Sequence, residues 1–546
     1  MDLMQILSLD RIEAMEQAGL WGYTTLIDAF DDVVARTPHQ IAIVEYKAES
    51  GTKSSLSYAD LNRRVVLLAL ALADAGVGKG DVVSYQLPNW WQFPALHLAA
   101  LRIGAITNPL MPIFRERELK FMVGFAESKV LIVPHTFRGF DYAAMVDAFR
   151  PLLPALKRVM VVDRDPELDI TAPVSDADVD RAMALFKERR AGANEVAQIM
   201  YTSGTTGEPK GVMHTSNTLL AHLRVSRRRL GIEADDVVLC STPLAHQLGF
   251  MYGIILPILA GSQVVLQDIW NAKVAARLIG EESVTFMAGA TPFLADLADL
   301  PDLKSYNISS LRLFFSAGAP IPRPLVRRAT ENLEAQIISA WGMTENGAPT
   351  IAKPGDPEEK IFSTDGVNVD GMEVRVVDSA GVRVAPGTEG RLQVRGASNF
   401  VGYLKRPGNY GVDAEGWFET GDLARMDTAG YIRISGRSKD VVIRGGENVP
   451  VVEVENAIYK HQSVAAVAIV AMPDERLGER CCAFVQLREG ASLSFGELRD
   501  FLTAEGMSRH YFPERLEIVS ELPRTPSGKI QKFKLREKAK MLSVSA

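Results

Sequence analysis

Tyr201-Thr-Ser-Gly-Thr-Thr-Gly-Glu-Pro-Lys-Gly-Val212 follows directly on the strand-like run Ala197-Gln-Ile-Met-Tyr201. Gly204 and Gly207 let the backbone turn tightly, so that N–H groups can point at phosphate oxygens. The hydroxyls of Thr202, Ser203, Thr205 and Thr206 and the ammonium of Lys210 add further donors. A Walker A loop is excluded, because neither glycine is followed at the required distance by Gly-Lys. Taken alone, the stretch also reads as a plain Ser/Gly turn.

On both sides of this loop, short β-branched runs alternate with longer helical patterns. Residues 41–46 (IAIVEY) read as a strand and 58–76 as an amphipathic helix ending at Gly76. Residues 81–87 read as a strand and 95–105 as a helix, and strands recur at 129–134, 158–162, 262–267 and 284–289. This alternation predicts α/β layers with largely parallel sheets. After about residue 365 the style changes. Residues 371–378, 390–396 and 430–437 are strands separated by Gly, Asp and Pro turns, the pattern of antiparallel structure. The last hundred residues read as a small α+β unit, with helices at 449–461 and 493–506 and strands at 464–472 and 481–487. The expected organisation is therefore an α/β chain: a large domain of layered α/β subdomains plus a β-rich subdomain over 1–435, a hinge at 436–440, and a small α+β domain over 441–546.

A chain of 546 residues exceeds what one core organises. With 47% apolar and 23% charged residues it has ordinary globular composition, and a net charge of -7 without a basic stripe argues against nucleic acid as a partner. Cys240, Cys481 and Cys482 fit neither a metal-ligand spacing nor a disulfide framework, which points to a reducing compartment. The acidic, amphipathic N-terminus is not a secretory signal. The longest apolar stretch, 249–261, interrupted by Pro257, is too short to span a bilayer and reads as a buried core element. A cytoplasmic protein without a transmembrane segment is expected.

Six further segments stand out. Pro243-Leu-Ala-His246-Gln-Leu-Gly-Phe250 sets one histidine beside an apolar run, ordinarily a packed or capping histidine. Ser316-Ala-Gly-Ala-Pro320 puts small residues at a strand end, where a flat ring can lie close to backbone. Trp341-Gly-Met-Thr-Glu345 sets a hydroxyl beside a carboxylate, which suits Mg2+ but equally a helix N-cap with an acidic first turn. Trp417-Phe-Glu-Thr-Gly-Asp422 reads by itself as a turn. Gly436-Arg437-Ser-Lys439-Asp440 is followed by Gly445-Gly446-Glu447, thin enough for close approach of a narrow chain. Pro523-Arg-Thr-Pro-Ser-Gly-Lys529-Ile-Gln-Lys532 is a basic cluster that alone would pass for a solvated face.

Together and in this order, from about Trp21 to Lys534, these segments resemble the adenylate-forming superfamily of acyl-CoA synthetases, nonribosomal adenylation domains and beetle luciferases. The resemblance implies roles residue by residue. Thr202, Ser203, Gly204, Thr205, Thr206, Gly207 and Lys210 would hold the β- and γ-phosphates of ATP. His246 would gate the acid pocket. Ala317, Gly318, Ala319 and Pro320, with Trp341, Gly342, Met343 and Thr344, would sandwich adenine and line the acyl pocket. Glu345, with Thr206, would hold Mg2+. Asp422 would take the ribose hydroxyls and Arg437 ribose and phosphate. Lys439 would be the hinge of a mobile small domain, and Gly445, Gly446 and Glu447 would meet the pantetheine arm of coenzyme A. Lys529 would be needed for adenylation, since a cation between carboxylate and α-phosphate relieves their repulsion.

The implied reaction has two steps: acid and ATP form an acyl-adenylate with loss of pyrophosphate, and the small domain then rotates so that coenzyme A takes the acyl group and AMP leaves. Residues 88–122, 134–145 and 243–261 most resemble ligases of short- and medium-chain fatty acids and of cyclohexanecarboxylate. Expected pocket segments at 246–253, 289–292 and 316–320 are small and apolar. The stretch after His246 lacks the Asn-Phe of aryl-acid adenylating enzymes, which puts benzoate-like acids second. Loading of a separate carrier protein in place of coenzyme A stays open. Expected partners are small molecules, and a homodimer is an expectation that no particular residue carries.

Overall fold

The computed structural model describes residues 7–202, 209–319, 321–438, 440–444, 447–474, 476–525 and 528–543. Among them, strands form four larger sheets and a two-stranded ribbon. One large sheet runs Gly402–Tyr403, Lys210–Thr215, Val196–Thr202, Ile106–Pro109, Val82–Tyr85, Val130–Pro134, Arg158–Val162. Its last five strands pair in parallel, and the hairpin Val196–Thr202/Lys210–Thr215 adds antiparallel strands at one side. The other large sheet is parallel through Ile41–Lys47, Gln263–Gln267, Val237–Cys240, Phe286–Gly289, Leu313–Ser316 and Gln336–Met343. Antiparallel strands close it at both edges.

Several helices between these strands start where the sequence provides a capping side chain. The helix Tyr58–Asp74 opens with Ser57, whose hydroxyl accepts from the Asp60 N–H while Asp60 reaches back to the Ser57 N–H. Such a cap contributes about 1 kcal/mol. The apolar stretch 249–261 is a buried element made of two short α-helical turns around a π-helical turn, Met251–Ile255. No described helix is long and apolar enough to cross a membrane.

The β-rich part is a four-stranded antiparallel sheet ending at Arg437, with its own core around Phe400, Leu392 and Val394. Val442–Arg444 begins the sheet of the small domain. There the two-residue period of strand Val464–Asp474 decides the packing. Ala466, Ala468, Val470 and Met472 face the helix Lys532–Ser543, whereas Val467 and Ile469 join a core continuous with Leu325 and Phe293 of the large domain. Adjacent Cys481 and Cys482 fall on opposite faces by the same rule, and all three cysteines are free and buried.

Candidate active site

A cavity of about 1070 Å3 takes lining residues from both large sheets, the four-stranded sheet and the small domain. The turn at its centre depends on Gly342, where a Cβ would lie 1.8 Å from the Gly347 carbonyl oxygen. The irregular hairpin formed there brings Gly342, Met343, Thr344 and Glu345 to the wall. This is a strand-to-strand turn, so the helix N-cap reading of Thr344 and Glu345 does not hold.

Glu345 is buried, and its carboxylate accepts a 2.8 Å hydrogen bond from the Tyr403 hydroxyl. Burial pushes the Glu345 carboxyl up, against the opposing pull of Tyr403, Arg437 and Lys210. The Lys210 ammonium lies 4.8 Å from the centre of the Tyr403 ring. Lys210 pairs with Thr202 across the hairpin, and both line the cavity at the base of the glycine loop. Buried His214 fixes the turn from behind, donating from Nε2 to the Thr344 carbonyl at 2.7 Å. Burial brings His214 down to about 4, so it is neutral at physiological pH.

On the neighbouring wall, Asp422 lies within the strand Phe418–Met426 and not in a free turn. One carboxylate oxygen accepts from Trp341 Nε1 at 2.8 Å, and the other forms an ion pair with Arg437, 2.8 Å from its Nε. Asp422 and Trp341 are buried behind the lining, whereas Thr420, Gly421 and Arg437 stand on it. Each carboxylate oxygen has a second lone pair, so Asp422 retains capacity for a further donor.

At the far wall, His246 caps the short helix Gln247–Phe250 through Nδ1, which accepts from the Leu248 N–H at 3.3 Å. It is thus a capping histidine that also lines the cavity. Burial, and secondarily the charge of Lys529, bring it down to about 4, so the ring is neutral. Lys529 enters from the small domain on a tight loop: Thr525 N–H donates to the Lys529 carbonyl at 2.7 Å, and Lys529 N–H to Thr525 Oγ1 at 3.0 Å. Burial, then Arg437, push the Lys529 amine down to about 8, against the pull of Asp422, Asp440 and Glu345. The cavity therefore joins a neutral histidine, one cation brought by the small domain, and a carboxylate on the opposite wall.

Ala317 and Gly318 line the cavity, and Ala319 packs against the apolar core beneath. The acyl end departs from the sequence-based expectation. Residues 289–292 do not line the cavity; Pro292 packs on Gly528. Met251, Tyr252, Phe315 and Ala348 line that end, with the buried amide of Gln247, so the pocket is not purely small and apolar. Tyr403, His214 and Phe315 carry no motif, and only their contacts reveal them. Ser203, Gly204, Thr205, Thr206, Gly207, Pro320, Lys439, Gly445 and Gly446 lie outside the described residues. Glu447 begins the short strand Glu447–Val449, which pairs with Val442–Arg444; no residue of Val442–Arg444 lines the cavity.

Fold and site define an adenylate-forming ligase, in enzyme class an AMP-forming acyl-CoA synthetase. The chain belongs to the AMP-binding enzyme family, whose model matches residues 30–404, and the AMP-binding enzyme C-terminal domain matches 453–529. It is 37% identical to the medium-chain fatty-acid–CoA ligase of Escherichia coli K12, over 96% of this chain and 92% of that one. It is 31% identical to the 2,3-dihydroxybenzoate-AMP ligase of Bacillus subtilis 168, over 96% and 95%. The anthranilate CoA ligase AuaEII, solved with anthranoyl-AMP, superposes with a TM-score of 0.85 at 24% identity, covering 96% and 98%.

Proposed function

We propose that the protein joins a small or medium-chain aliphatic or alicyclic carboxylic acid to coenzyme A through an acyl-adenylate, with release of pyrophosphate and AMP. The observation that carries this reading is the convergence of Lys529, His246, Glu345 and Arg437 on one cavity. The similarity to a medium-chain fatty-acid–CoA ligase supports the substrate class. An end walled by Met251, Tyr252, Phe315 and Ala348 gains about 0.8 kcal/mol for each methylene it buries.

In the first step the acid carboxylate attacks the α-phosphate of ATP, the bond to the bridging oxygen breaks, and pyrophosphate leaves. Lys529 stands where two anions meet. At about 4 Å and an effective dielectric of 20, one such contact is worth about 4 kcal/mol, or about three orders of magnitude in rate. Lys210 and the glycine loop steady the departing phosphates. Neutral His246 shapes the acid's entrance without adding charge. Among the described residues no cation pairs directly with the buried Glu345 carboxylate, which suits a divalent ion, and no described group of three or more His, Cys, Asp or Glu forms a self-sufficient metal cage. Glu345, with Thr206, would hold Mg2+, which takes its other oxygens from phosphate and water and neutralises the charge on them.

In the second step the thiolate of coenzyme A attacks the acyl carbonyl carbon and AMP leaves. Rotation of the small domain about Lys439 would withdraw Lys529 and bring Gly445, Gly446 and Glu447 to the cavity. A benzoate-like acid is the second reading. Tyr252 and Phe315 at the acyl end, with ring centres 4.4 Å apart, suit a flat ring, and an aryl-acid ligase is among the relatives. The test follows pyrophosphate and AMP release with ATP, Mg2+ and acids from acetate to dodecanoate, plus cyclohexanecarboxylate, benzoate and a dicarboxylate. Coenzyme-A-dependent AMP release with C4 to C10 or alicyclic acids is expected. Preference for benzoate would transfer the proposal to aryl acids, and adenylation without turnover by coenzyme A would move the acceptor to a carrier protein.

A further inference from the structure

The expected pocket segment 289–292 runs into the helix Thr291–Ala298, which turns a face to the small domain and not to the cavity. Three of its positions, Pro292, Asp296 and the C-cap Asp299, are spaced four and three residues apart and so share one face. Each meets the small domain. Pro292 packs on Gly528, where a Cβ would lie 2.9 Å from the proline ring in a backbone with φ +85° that favours glycine. Asp296, held by Trp270 Nε1 at 2.8 Å, faces Arg524 across the cleft without a direct bond. Arg524 in turn donates to the Gly528 carbonyl at 3.0 Å, beside Lys529. Asp299 is gripped by Arg328 of the large domain at 2.6 and 3.0 Å and reached by Arg488 of the small domain at 3.4 Å. The opposite face, Phe293, Leu294 and Leu297, is anchored in the core.

We propose that this helix face is the docking seat for acid activation, with Arg488 and Gly528 as the positioning residues through which it sets Lys529 in the cavity. The inference rests on the two-step reading above and adds what holds the small domain in the first of its two poses. Contacts at the beginning and end of one rigid helix, with the charge of Arg524 acting on Asp296 between them, fix position and tilt together. None of the three lines the cavity, and the seat has to be vacated when the domain rotates. It therefore favours the first half-reaction alone.

Two variants test it. Arg488→Ala removes one partly exposed cation and leaves Asp299–Arg328 intact within the large domain. It is expected to slow acid-dependent pyrophosphate exchange about two- to fivefold, the range of such pairs, while thioester formation from supplied acyl-adenylate is kept or raised. Arg488→Lys should recover part of the exchange. Gly528→Ala is expected to cost about tenfold or more in exchange with the second half-reaction again kept. A readout independent of chemistry uses fluorophores on cysteines introduced at Leu152 and Met541, exposed positions of the two domains. In both variants the population at the docked distance should fall. An unchanged distance distribution, or equal loss of both half-reactions, overturns the seat. A wild-type protein that docks normally but adenylates no acid overturns the two-step reading and leaves the seat standing on the distances.

Discussion

The two sides of the cavity are held by different means. On the large-domain side, Trp341, Asp422 and Arg437 interlock, and Glu345, Tyr403 and Lys210 form a second chain beside them. These groups are buried or half-buried and stand on strands of extended sheets or, for Glu345, on the tight turn between two of them. On the other side, Lys529 stands on a short loop braced by Thr525 and Arg524 and pressed against the large domain at a few points. Buried networks are costly to break and keep one geometry. Sparse, partly exposed contacts can be released at small cost. The comparison teaches that the fixed side suits what both half-reactions share, the AMP moiety, and the lightly held side what only one requires.

The sharpest way to break that comparison is Lys529→Ala. Pyrophosphate exchange is expected to fall about a thousandfold, and thioester formation from supplied acyl-adenylate to stay within a few-fold of wild type. Equal losses would mean that Lys529 belongs to the fixed side. Asp422→Ala is the converse. It strands the Trp341 indole N–H and the Arg437 guanidinium, so both half-reactions should fall about ten- to a hundredfold and the melting temperature should drop with them. Loss confined to one half-reaction would undo its assignment to the shared side.

The pH dependence sharpens the same contrast. In the proposed role Lys529 would act in its protonated form, and its amine is brought down to about 8. The cationic form is therefore lost as pH rises through that value. The kcat/KM of acid activation should decline above about pH 8, approaching tenfold for each further unit, while thioester formation should show no such fall. A flat first half-reaction up to pH 10 would place the lysine in a more polar setting when substrates bind. The smallest effect is expected from Tyr403→Phe. The phenol supports the charged form of Glu345, and without it the Mg2+ concentration for half-maximal exchange should rise several-fold, with the Lys210–ring contact preserved. An unchanged Mg2+ requirement would separate Glu345 from the metal.

Much of this was legible in the sequence because the relevant signals are local. The alternation before residue 365 and the turn-rich strands after it each depend on neighbours within a few positions, and the corresponding elements form. What was misjudged depends on distant partners. Residues 289–292 resemble pocket wall in composition, but the strand they leave points their helix at the small domain. Tyr403 lies 58 residues from the carboxylate it supports, and no spacing rule links them. Asp422 reads as a turn because Thr-Gly precedes it, yet sheet pairing draws it into a strand.

By itself the sequence determined the order of sheets and domains, the family resemblance and the identity of the groups that carry charge to the site. These follow from periodicity, turn chemistry and motifs read along the chain. Only the tertiary structure decided which wall each group occupies and which stay neutral. It also decided that Pro292, expected at the acyl pocket, packs against Gly528 of the small domain. The reason is physical: burial and distance set protonation and contact, and both are created when strands far apart in the chain are laid side by side.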